Sequence, residues 1–363
     1  MIFPNYLKKG DWIGVSAMSN PVNDPAEKAR FNHAANVLSR AGFGAVFTNN
    51  VFTESDAFGR SGSGPEKGYE FNALVSENQI SLIYAAKGGD NLIEMLPYVD
   101  IRLFKKNPKW VQGYSDVTSL LYYLTTKGDV ATAYGACFSD LGMEPWDDSV
   151  HRGLGILTGD LKEQQSFDYY QDGFKKKDSL GSAGYSKDAL VEWKIVADGR
   201  GHFDYTTVYG PSANMKIADV EFDGRLIGGC LDVLLNIAGT RFDGTAEFLE
   251  RYKENGIVWY LESFNLNCEQ MMEGLWKLRS LGWFEGARGF IFGRPLFYNN
   301  VDVEGNPLPT YADVLRERLG DLNVPIIMDA DIGHKGPQFV MINGAMANVK
   351  ASADGKGSVT YFN

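Results

Sequence analysis

Short apolar segments alternate with helix-like segments along the first part of the chain, and this alternation restricts the possible folds more than any other feature. The apolar segments have the length and continuity of strands that are buried on both faces, and they lie at 11–17, 45–47, 81–86 and 110–112. The clearest helical pattern runs over 25–41, and Gly42 predicts its end. Buried strands joined by helices indicate a parallel sheet. We therefore predict an α/β fold with a flavodoxin- or Rossmann-like N-terminal domain.

The length of 363 residues favours two domains over a single core. The apolar periodicity weakens between about 169 and 223, a stretch whose composition fits either a lid over a binding site or a solvated linker. Strands are predicted again at 257–262, 289–293 and 325–329, with short antiparallel strands from Gln338 onward. The predicted organisation has three parts: an N-terminal α/β domain at 1–168, a connecting region at 169–223 and a smaller C-terminal α/β domain at 224–363.

Charge and composition exclude several classes of function. A formal net charge of -11 disfavours binding to nucleic acid or to an anionic membrane, since both would repel the protein. The first ten residues lack the layout of a secretory signal, and no apolar run reaches the roughly 18 residues needed to span a bilayer, so we expect a cytoplasmic protein. Cys137, Cys230 and Cys268 are widely spaced and predict free buried thiols. We expect no bound metal and no cofactor.

The segment 109–118 predicts a strand, a tight turn with Ser115 at its tip, and the start of a helix. Such a turn exposes a hydroxyl at the sheet edge beside the amides of a helix N-terminus, as in a nucleophile elbow. Ligands of parallel sheets bind at the carboxyl ends of strands, where Ser115 and the pair Gly88-Gly89 are both predicted to lie. Ser115 is therefore the candidate nucleophile. The alternative is that its side chain only caps the helix.

A serine nucleophile needs a base, and the chain contains four histidines. His334 is the best placed of them, because it follows a predicted buried strand in a glycine-containing loop. Glu262 ends another very apolar strand, where an unpaired carboxylate would be costly, so it needs a partner. A carboxylate can orient a catalytic imidazole and stabilise its charged form. Asp329 and Asp331 are alternative orienting acids, and an arginine or backbone partner for Glu262 also stays open.

Several segments occur together in the order typical of one known family. They are Leu7 to Val15, Gly88-Gly89, Gly113-Tyr114-Ser115-Asp116-Val117-Thr118, Leu226-Ile227-Gly228-Gly229-Cys230-Leu231, Tyr260-Leu261-Glu262-Ser263 and Gly333-His334. In this order the chain resembles the LD-carboxypeptidase family of serine peptidases, which includes enzymes acting on murein peptides and the microcin C immunity peptidases. The resemblance extends over nearly the whole chain.

The resemblance implies an active site between two domains and a homodimer. It implies a Ser115, His334 and Glu262 triad, with Ser115 as nucleophile, His334 as base and Glu262 as the acid that orients it. Backbone amides of Asp116 and of Gly88 or Gly89 would hold the oxyanion. The expected substrate is a small peptide or a peptidyl-nucleotide. The expected reaction is hydrolysis of an amide near a free C-terminus, most simply in a murein peptide.

One departure bears on the substrate. In the immunity peptidases a tryptophan of the connecting region stacks on the nucleobase, whereas Trp193 here has the pattern of a packing residue and Tyr185 is the aromatic that could stack instead. Two other functions stay open. An α/β-hydrolase esterase is disfavoured because the turn at Ser115 lacks the second glycine of that elbow. A non-catalytic two-domain binding protein for small molecules would have a similar cleft.

Overall fold

The computed structural model describes residues 1–174, 181, 183–203, 217–296 and 309–362. Parts of the predicted connecting region, at 175–180, 182 and 204–216, lie outside these residues. The strands are β1 (Trp12–Ser16), β2 (Gly44–Phe47), β3 (Ile80–Ala85), β4 (Trp110–Gly113), β5 (Thr132–Tyr134), β6 (Glu163–Gln165), β7 (Tyr169–Tyr170), β8 (Ala189–Leu190), β9 (Lys194–Asp198), β10 (Val220–Cys230), β11 (Ile257–Glu262), β12 (Ala287–Gly293), β13 (Pro325–Ala330), β14 (Met341–Asn343), β15 (Met346–Ala351) and β16 (Gly357–Phe362). The α-helices are α1 (Pro25–Ala41), α2 (Gly64–Ser76), α3 (Ile101–Lys106), α4 (Thr118–Thr126), α5 (Asp148–Thr158), α6 (Leu231–Ile237), α7 (Thr245–Tyr252), α8 (Cys268–Ser280) and α9 (Tyr311–Leu319).

The first sheet has six strands in the order β14-β5-β4-β3-β1-β2. Strands β1 to β5 are parallel and follow the order 2-1-3-4-5, which is that of flavodoxin-like folds. Helix α1 spans the residues that its apolar pattern predicts, with Asp24 capping its N-terminus and Gly42 ending it in the left-handed conformation. The predicted α/β class is confirmed.

The second sheet has eight strands in the order β6-β16-β15-β10-β11-β12-β13-β9. Its centre, β10 to β13, is parallel, and antiparallel strands extend it on both sides, including the predicted C-terminal ones. Strand β9 lies in the predicted connecting region and was missed by the sequence analysis. Strand β14 does not join the second sheet and instead pairs with β5 of the first sheet. The C-terminal part of the chain therefore supplies one edge strand of the first sheet.

The two halves meet through α4 and the end of β10. The backbone N–H of Cys230 donates to Thr118 Oγ1 at 3.0 Å, and the Tyr122 hydroxyl lies 2.7 Å from Thr245 Oγ1, both in buried surroundings. Gly229 has φ +141, and a Cβ there would lie 2.5 Å from the Thr118 methyl group. A side chain at Gly229 would thus push β10 away from α4. This contact brings the carboxyl ends of both parallel sheets towards one cavity.

The burial of the cysteines agrees in part with the prediction of free buried thiols. All three cysteines are free, and Cys137 and Cys230 are buried, but Cys268 is half-buried, unlike the prediction. Cys268 is the first residue of α8 and lies outside the buried set of that helix, which begins at Met271. Within the described ranges, none of the helices has the length and hydropathy required to cross a membrane.

Candidate active site

Ser115 stands directly after β4, at the start of a 3-10 turn, Ser115–Val117, that leads into α4. Its φ is +64, an unfavourable angle for a residue other than glycine. The N-cap residues of the 3-10 turn and of α4 are Tyr114 and Val117, and neither makes a side-chain capping hydrogen bond, so Ser115 is not the N-cap of this helix. The half-buried side chain instead lines a cavity between the two sheets. The strained turn therefore presents a hydroxyl to this cavity.

The cavity has a volume of about 900 Å³, which is in the range of small-molecule sites. The sequence-predicted residues on its wall are Gly88, Gly89, Ser115, Asp116 and His334. The N-terminal part of its wall follows the carboxyl ends of β1, β3, β4 and β5, as expected for this sheet type. The C-terminal part follows the ends of β10 and β11 and the loop after β13. The structure thus brings these residues together from both halves of the chain.

Glu262 lies behind His334. His334 Nδ1 is 2.8 Å from Glu262 Oε2, and both side chains are buried. A carboxylate only accepts hydrogen bonds, so Nδ1 carries a proton, and in the neutral imidazole the free lone pair is then that of Nε2. Nε2 is buried and has no hydrogen-bond partner among the described residues. An imidazole held in this way presents a proton acceptor to the cavity.

The alternative orienting acids bind other partners. Asp331 Oδ1 accepts from Arg294 Nη2 at 2.7 Å, and its Oδ2 accepts from the indole N–H of Trp193 at 3.0 Å. Burial raises the pKa of the Asp331 carboxyl, an effect that Arg294 opposes. Asp329 pairs with Lys194 at 2.8 Å. These pairs anchor the loop that carries His334 without contacting its ring nitrogens.

The candidate oxyanion donors lie close to Ser115. A Cβ on Gly88 would stand 3.1 Å from Ser115 Cβ and 3.3 Å from Ser115 Oγ, so glycine permits this close approach. No described residue accepts a hydrogen bond from the backbone N–H of Gly88 or Gly89. At Asp116 the candidate donor is the backbone amide. The side chain has other partners, because its Oδ2 accepts hydrogen bonds from the Ser19 hydroxyl and from the Leu92 N–H. Its burial raises the pKa of the carboxyl.

Tyr134, at the end of β5, is a site residue that the sequence analysis missed. Its hydroxyl donates to Glu262 Oε1 and accepts the backbone N–H of Ser115 at 3.3 Å. The side chain is fully buried. Burial and the Glu262 carboxylate raise the pKa of Tyr134 well above its usual value, so the phenol stays protonated. The available signal was a hydroxyl-bearing residue at the end of an apolar strand.

Aromatic rings surround the cavity face of His334. Phe264 lies 4.9 Å and Tyr114 5.1 Å from the imidazole, measured between ring centroids. Phe174 also lines the cavity and is 56% exposed. Tyr185 lines the cavity too, whereas Trp193 is 2% exposed and bonded to Asp331. Trp193 is therefore a packing residue, and Phe174 and Phe264 are aromatic wall residues that the sequence analysis missed.

Charged and amide groups complete the wall. Lys87 pairs with Glu27 at 2.9 Å. Burial raises the pKa of Asp140 to about 6, although the positive charge of Arg30 opposes the shift. Gln338 is 5% exposed, lines the cavity, and its buried Oε1 has no hydrogen-bond partner among the described residues. This amide oxygen can accept a hydrogen bond from a polar group in the cavity.

The described parts of the chain contain no group of three or more His, Cys, Asp or Glu side chains that could hold a metal ion. The cavity wall offers a hydroxyl, an imidazole and carboxylate pair, and backbone amides. This set has the components of nucleophilic acyl transfer.

Comparison with known proteins agrees with this architecture. Residues 13–135 match the model of the LD-carboxypeptidase N-terminal domain, and residues 223–349 match that of the LD-carboxypeptidase C-terminal domain. A Vibrio cholerae protein provisionally named a carboxypeptidase is 28% identical over 352 residues, covering 96% of this chain and 95% of its own. The microcin C7 self-immunity protein MccF of Escherichia coli is 28% identical over 338 residues, covering 92% and 89%. A Bacillus subtilis protein provisionally named a murein peptide carboxypeptidase is 23% identical, covering 95% and 90%.

Solved structures share the fold over the full chain. An MccF-like protein from Bacillus anthracis superimposes with a TM-score of 0.79 at 22% identity, covering 100% of both chains. MccF in complex with aspartyl sulfamoyl adenosine gives a TM-score of 0.77 at 24% identity, covering 100% of this chain and 99% of the other.

Proposed function

This chain belongs to the LD-carboxypeptidase family, and on that basis we propose that it hydrolyses an amide bond next to a free C-terminal carboxylate in murein peptides. The observation that carries the proposal is the buried pair of Glu262 and His334. His334 Nε2 has no hydrogen-bond partner among the described residues, and His334 lines the same cavity as Ser115. A related protein provisionally named a murein peptide carboxypeptidase supports the substrate class.

The proposed reaction starts at Ser115. Its Oγ attacks the carbonyl carbon while His334 Nε2 takes the hydroxyl proton, and Glu262 stabilises the resulting imidazolium through Nδ1. The developing oxyanion accepts hydrogen bonds from the Asp116 amide and from an amide of Gly88 or Gly89. His334 then returns the proton to the leaving amine. Water, activated by the same imidazole, hydrolyses the acyl-enzyme and restores the serine.

The wall residues support a small substrate with a terminal carboxylate. The side chains of Arg30 and Lys87 are the basic groups on the cavity wall, and both come from the N-terminal half. In this proposal a negatively charged group of the substrate binds near them, although the carboxyl groups of Glu27, Asp90, Asp116, Asp140 and Asp232 also line the cavity and reduce the local positive charge. A peptide whose C-terminus is amidated should therefore be a poor substrate.

A second candidate function is hydrolysis of aminoacyl- or peptidyl-nucleotides, as in microcin immunity. The observation that favours it is the exposed ring of Phe174 beside Phe264, two aromatic surfaces that a nucleobase could contact. MccF itself has been solved with aspartyl sulfamoyl adenosine and with adenosine monophosphate. Neither Phe174 nor Tyr185 is a tryptophan, so the stacking surface differs from the one expected for the immunity peptidases.

Mass spectrometry distinguishes the two candidates. The purified protein is incubated with a murein tetrapeptide and, separately, with an aminoacyl sulfamoyl adenosine, each beside a Ser115→Ala control. Loss of the terminal D-alanine supports the carboxypeptidase, and release of the amino acid supports the nucleotide hydrolase. Turnover of neither compound, together with no labelling of Ser115 by a fluorophosphonate, would favour a non-catalytic binding protein. Light scattering tests the homodimer, which is also part of the proposal.

A further inference from the structure

We propose that Tyr134 is a positioning residue whose single hydroxyl fixes the acid, Glu262, and the nucleophile, Ser115, relative to each other. The inference rests on the proposed hydrolytic function, in which Glu262 orients His334 and Ser115 attacks the substrate. Tyr134 ends β5 in the first sheet, whereas Glu262 ends β11 in the second. The hydroxyl therefore connects the two halves of the chain at the point where the site is assembled.

The hydrogen bonds of this hydroxyl fix its orientation. A phenol has one proton to donate, and the carboxylate of Glu262 can only accept, so that proton lies on the Glu262 side. A lone pair of the same oxygen then accepts the Ser115 N–H at 3.3 Å. Because the hydroxyl is buried, water cannot replace either bond. The pKa of the phenol is raised well above its usual value by burial and by Glu262, so the donor persists at working pH.

The first consequence concerns the carboxylate of Glu262. Its two oxygens have different partners, since Oε1 accepts from Tyr134 and Oε2 faces His334 Nδ1 at 2.8 Å. Two donors at fixed positions define the plane of the carboxylate, and that plane directs the imidazole. Without the hydroxyl, Oε1 would be a buried charged atom lacking this donor, and the carboxylate could rotate to find another.

The second consequence concerns the turn at Ser115. A φ of +64 is unfavourable for serine, and a hydrogen bond to its N–H helps to hold that conformation. The bond also directs the Ser115 N–H towards Tyr134. The amide that follows in the turn, that of Asp116, is then the one expected to face the oxyanion.

The test compares Tyr134→Phe with Tyr260→Phe. Tyr260 is an equally buried tyrosine whose ring centroid lies 5.7 Å from that of Tyr134, and its hydroxyl bonds to Asn343 Oδ1 at 2.7 Å. Each variant removes one buried hydroxyl from the same region, so both should lower the Tm, Tyr134→Phe by at least as much as Tyr260→Phe because its acceptor is a carboxylate. Only Tyr134→Phe should lower kcat, by about 10- to 100-fold, the range that corresponds to one hydrogen bond to a charged group. KM should change by less than about threefold, since Tyr134 does not line the cavity.

Two further measurements separate positioning from general stability. The rate of Ser115 labelling by a fluorophosphonate should fall with kcat, whatever the natural substrate. In a Glu262→Gln background, Tyr134→Phe should cost less than about a further threefold, because the two residues act through one interaction. If Tyr134→Phe does not fold, 4-fluorophenylalanine at position 134 fills the volume of the hydroxyl but cannot donate, and the same losses are expected.

The proposal is overturned if kcat and labelling rate of Tyr134→Phe lie within about threefold of those of Tyr260→Phe. Equal multiplicative losses in the wild-type and Glu262→Gln backgrounds would also overturn it. Ser115→Ala, measured in parallel, separates this result from a failure of the proposed function. An inactive Ser115→Ala beside a fully active Tyr134→Phe refutes the positioning role alone, whereas an active Ser115→Ala refutes the serine mechanism itself.

Discussion

Replacing Glu262 by glutamine tests how the site stabilises a charged base. Glu262 Oε2 and His334 Nδ1 are 2.8 Å apart, and the charge on each group is spread over several atoms. An effective separation of about 4 Å at an effective dielectric constant of about 20 gives an attraction of about 4 kcal/mol between carboxylate and imidazolium. The neutral amide loses most of this attraction. Glu262→Gln should therefore lower kcat/KM by about 10³-fold.

The amide also changes the hydrogen-bond pattern. Its NH₂ group must face either His334 or Tyr134. Facing His334, it would make Nδ1 an acceptor and place the ring proton on Nε2, where the base should be free. Facing Tyr134, it would compete with the Ser115 N–H for the phenol oxygen and leave the phenol proton without its carboxylate acceptor. Either arrangement works against catalysis, so the variant cannot recover by flipping its side chain.

The assay is steady-state kinetics on whichever compound the mass spectrometry identifies. His334→Ala removes the base itself and should cost more, about 10⁴-fold or greater. Asp198→Asn is the matched control, because His202 Nδ1 and Asp198 Oδ2 are also 2.8 Å apart but lie outside the cavity. It should retain full activity. If Glu262→Gln keeps the fold and loses less than about tenfold in kcat/KM, Glu262 does not orient the base and another acid has that role.

Other predictions concern the nucleophile, pH and metals. Ser115→Ala should lower turnover by about 10⁴-fold or more, and residual activity above about a tenth of wild type would exclude the nucleophile role. Ser115→Gly should be equally inactive but should unfold at an equal or higher urea concentration, because glycine tolerates φ +64. Because the base must be neutral, kcat/KM should rise across the range in which histidines titrate, about pH 5 to 8, and a flat profile would contradict it. Because the pKa of Asp140 is raised to about 6, its carboxyl ionises earlier in the unfolded state, and the free energy of unfolding falls as pH rises from about 4 to 6. Asp140→Asn removes this effect, so its free energy of unfolding, measured in urea, should gain about 2 kcal/mol relative to wild type between pH 4 and pH 7. Parallel pH profiles of the two proteins would contradict this. Activity should survive EDTA, since the sequence has no His or Cys cluster with metal-ligand spacing, and loss reversed by zinc would contradict the serine mechanism.

The local elements and the candidate residues could be predicted from the amino-acid sequence. Continuous apolar segments of strand length identify the parallel strands β1, β3 and β4, because burial on both faces leaves no polar alternation. The N-cap at Asp24 and the terminating Gly42 locate α1, since both act through hydrogen bonds within a few residues. Ser115, Glu262 and His334 were also identifiable as candidates from their positions at strand ends and from the family resemblance.

The way in which these elements combine could not be predicted from the sequence and follows from the tertiary structure. Pairing of β14 with β5, and of β9 with β13, joins segments far apart in the chain, and no local propensity encodes such partners. The contact of the acid is of the same kind: the resemblance implied Glu262 and the residues alone left Asp331 open, whereas in the structure Arg294 binds Asp331 and Glu262 Oε2 lies 2.8 Å from His334 Nδ1. The role inferred for Tyr134 depends on two contacts that are non-local in sequence. A buried polar group that loses its partner cannot bind water instead, so each of these groups requires one particular partner. The arrangement therefore depends on which groups the packed sheets bring together.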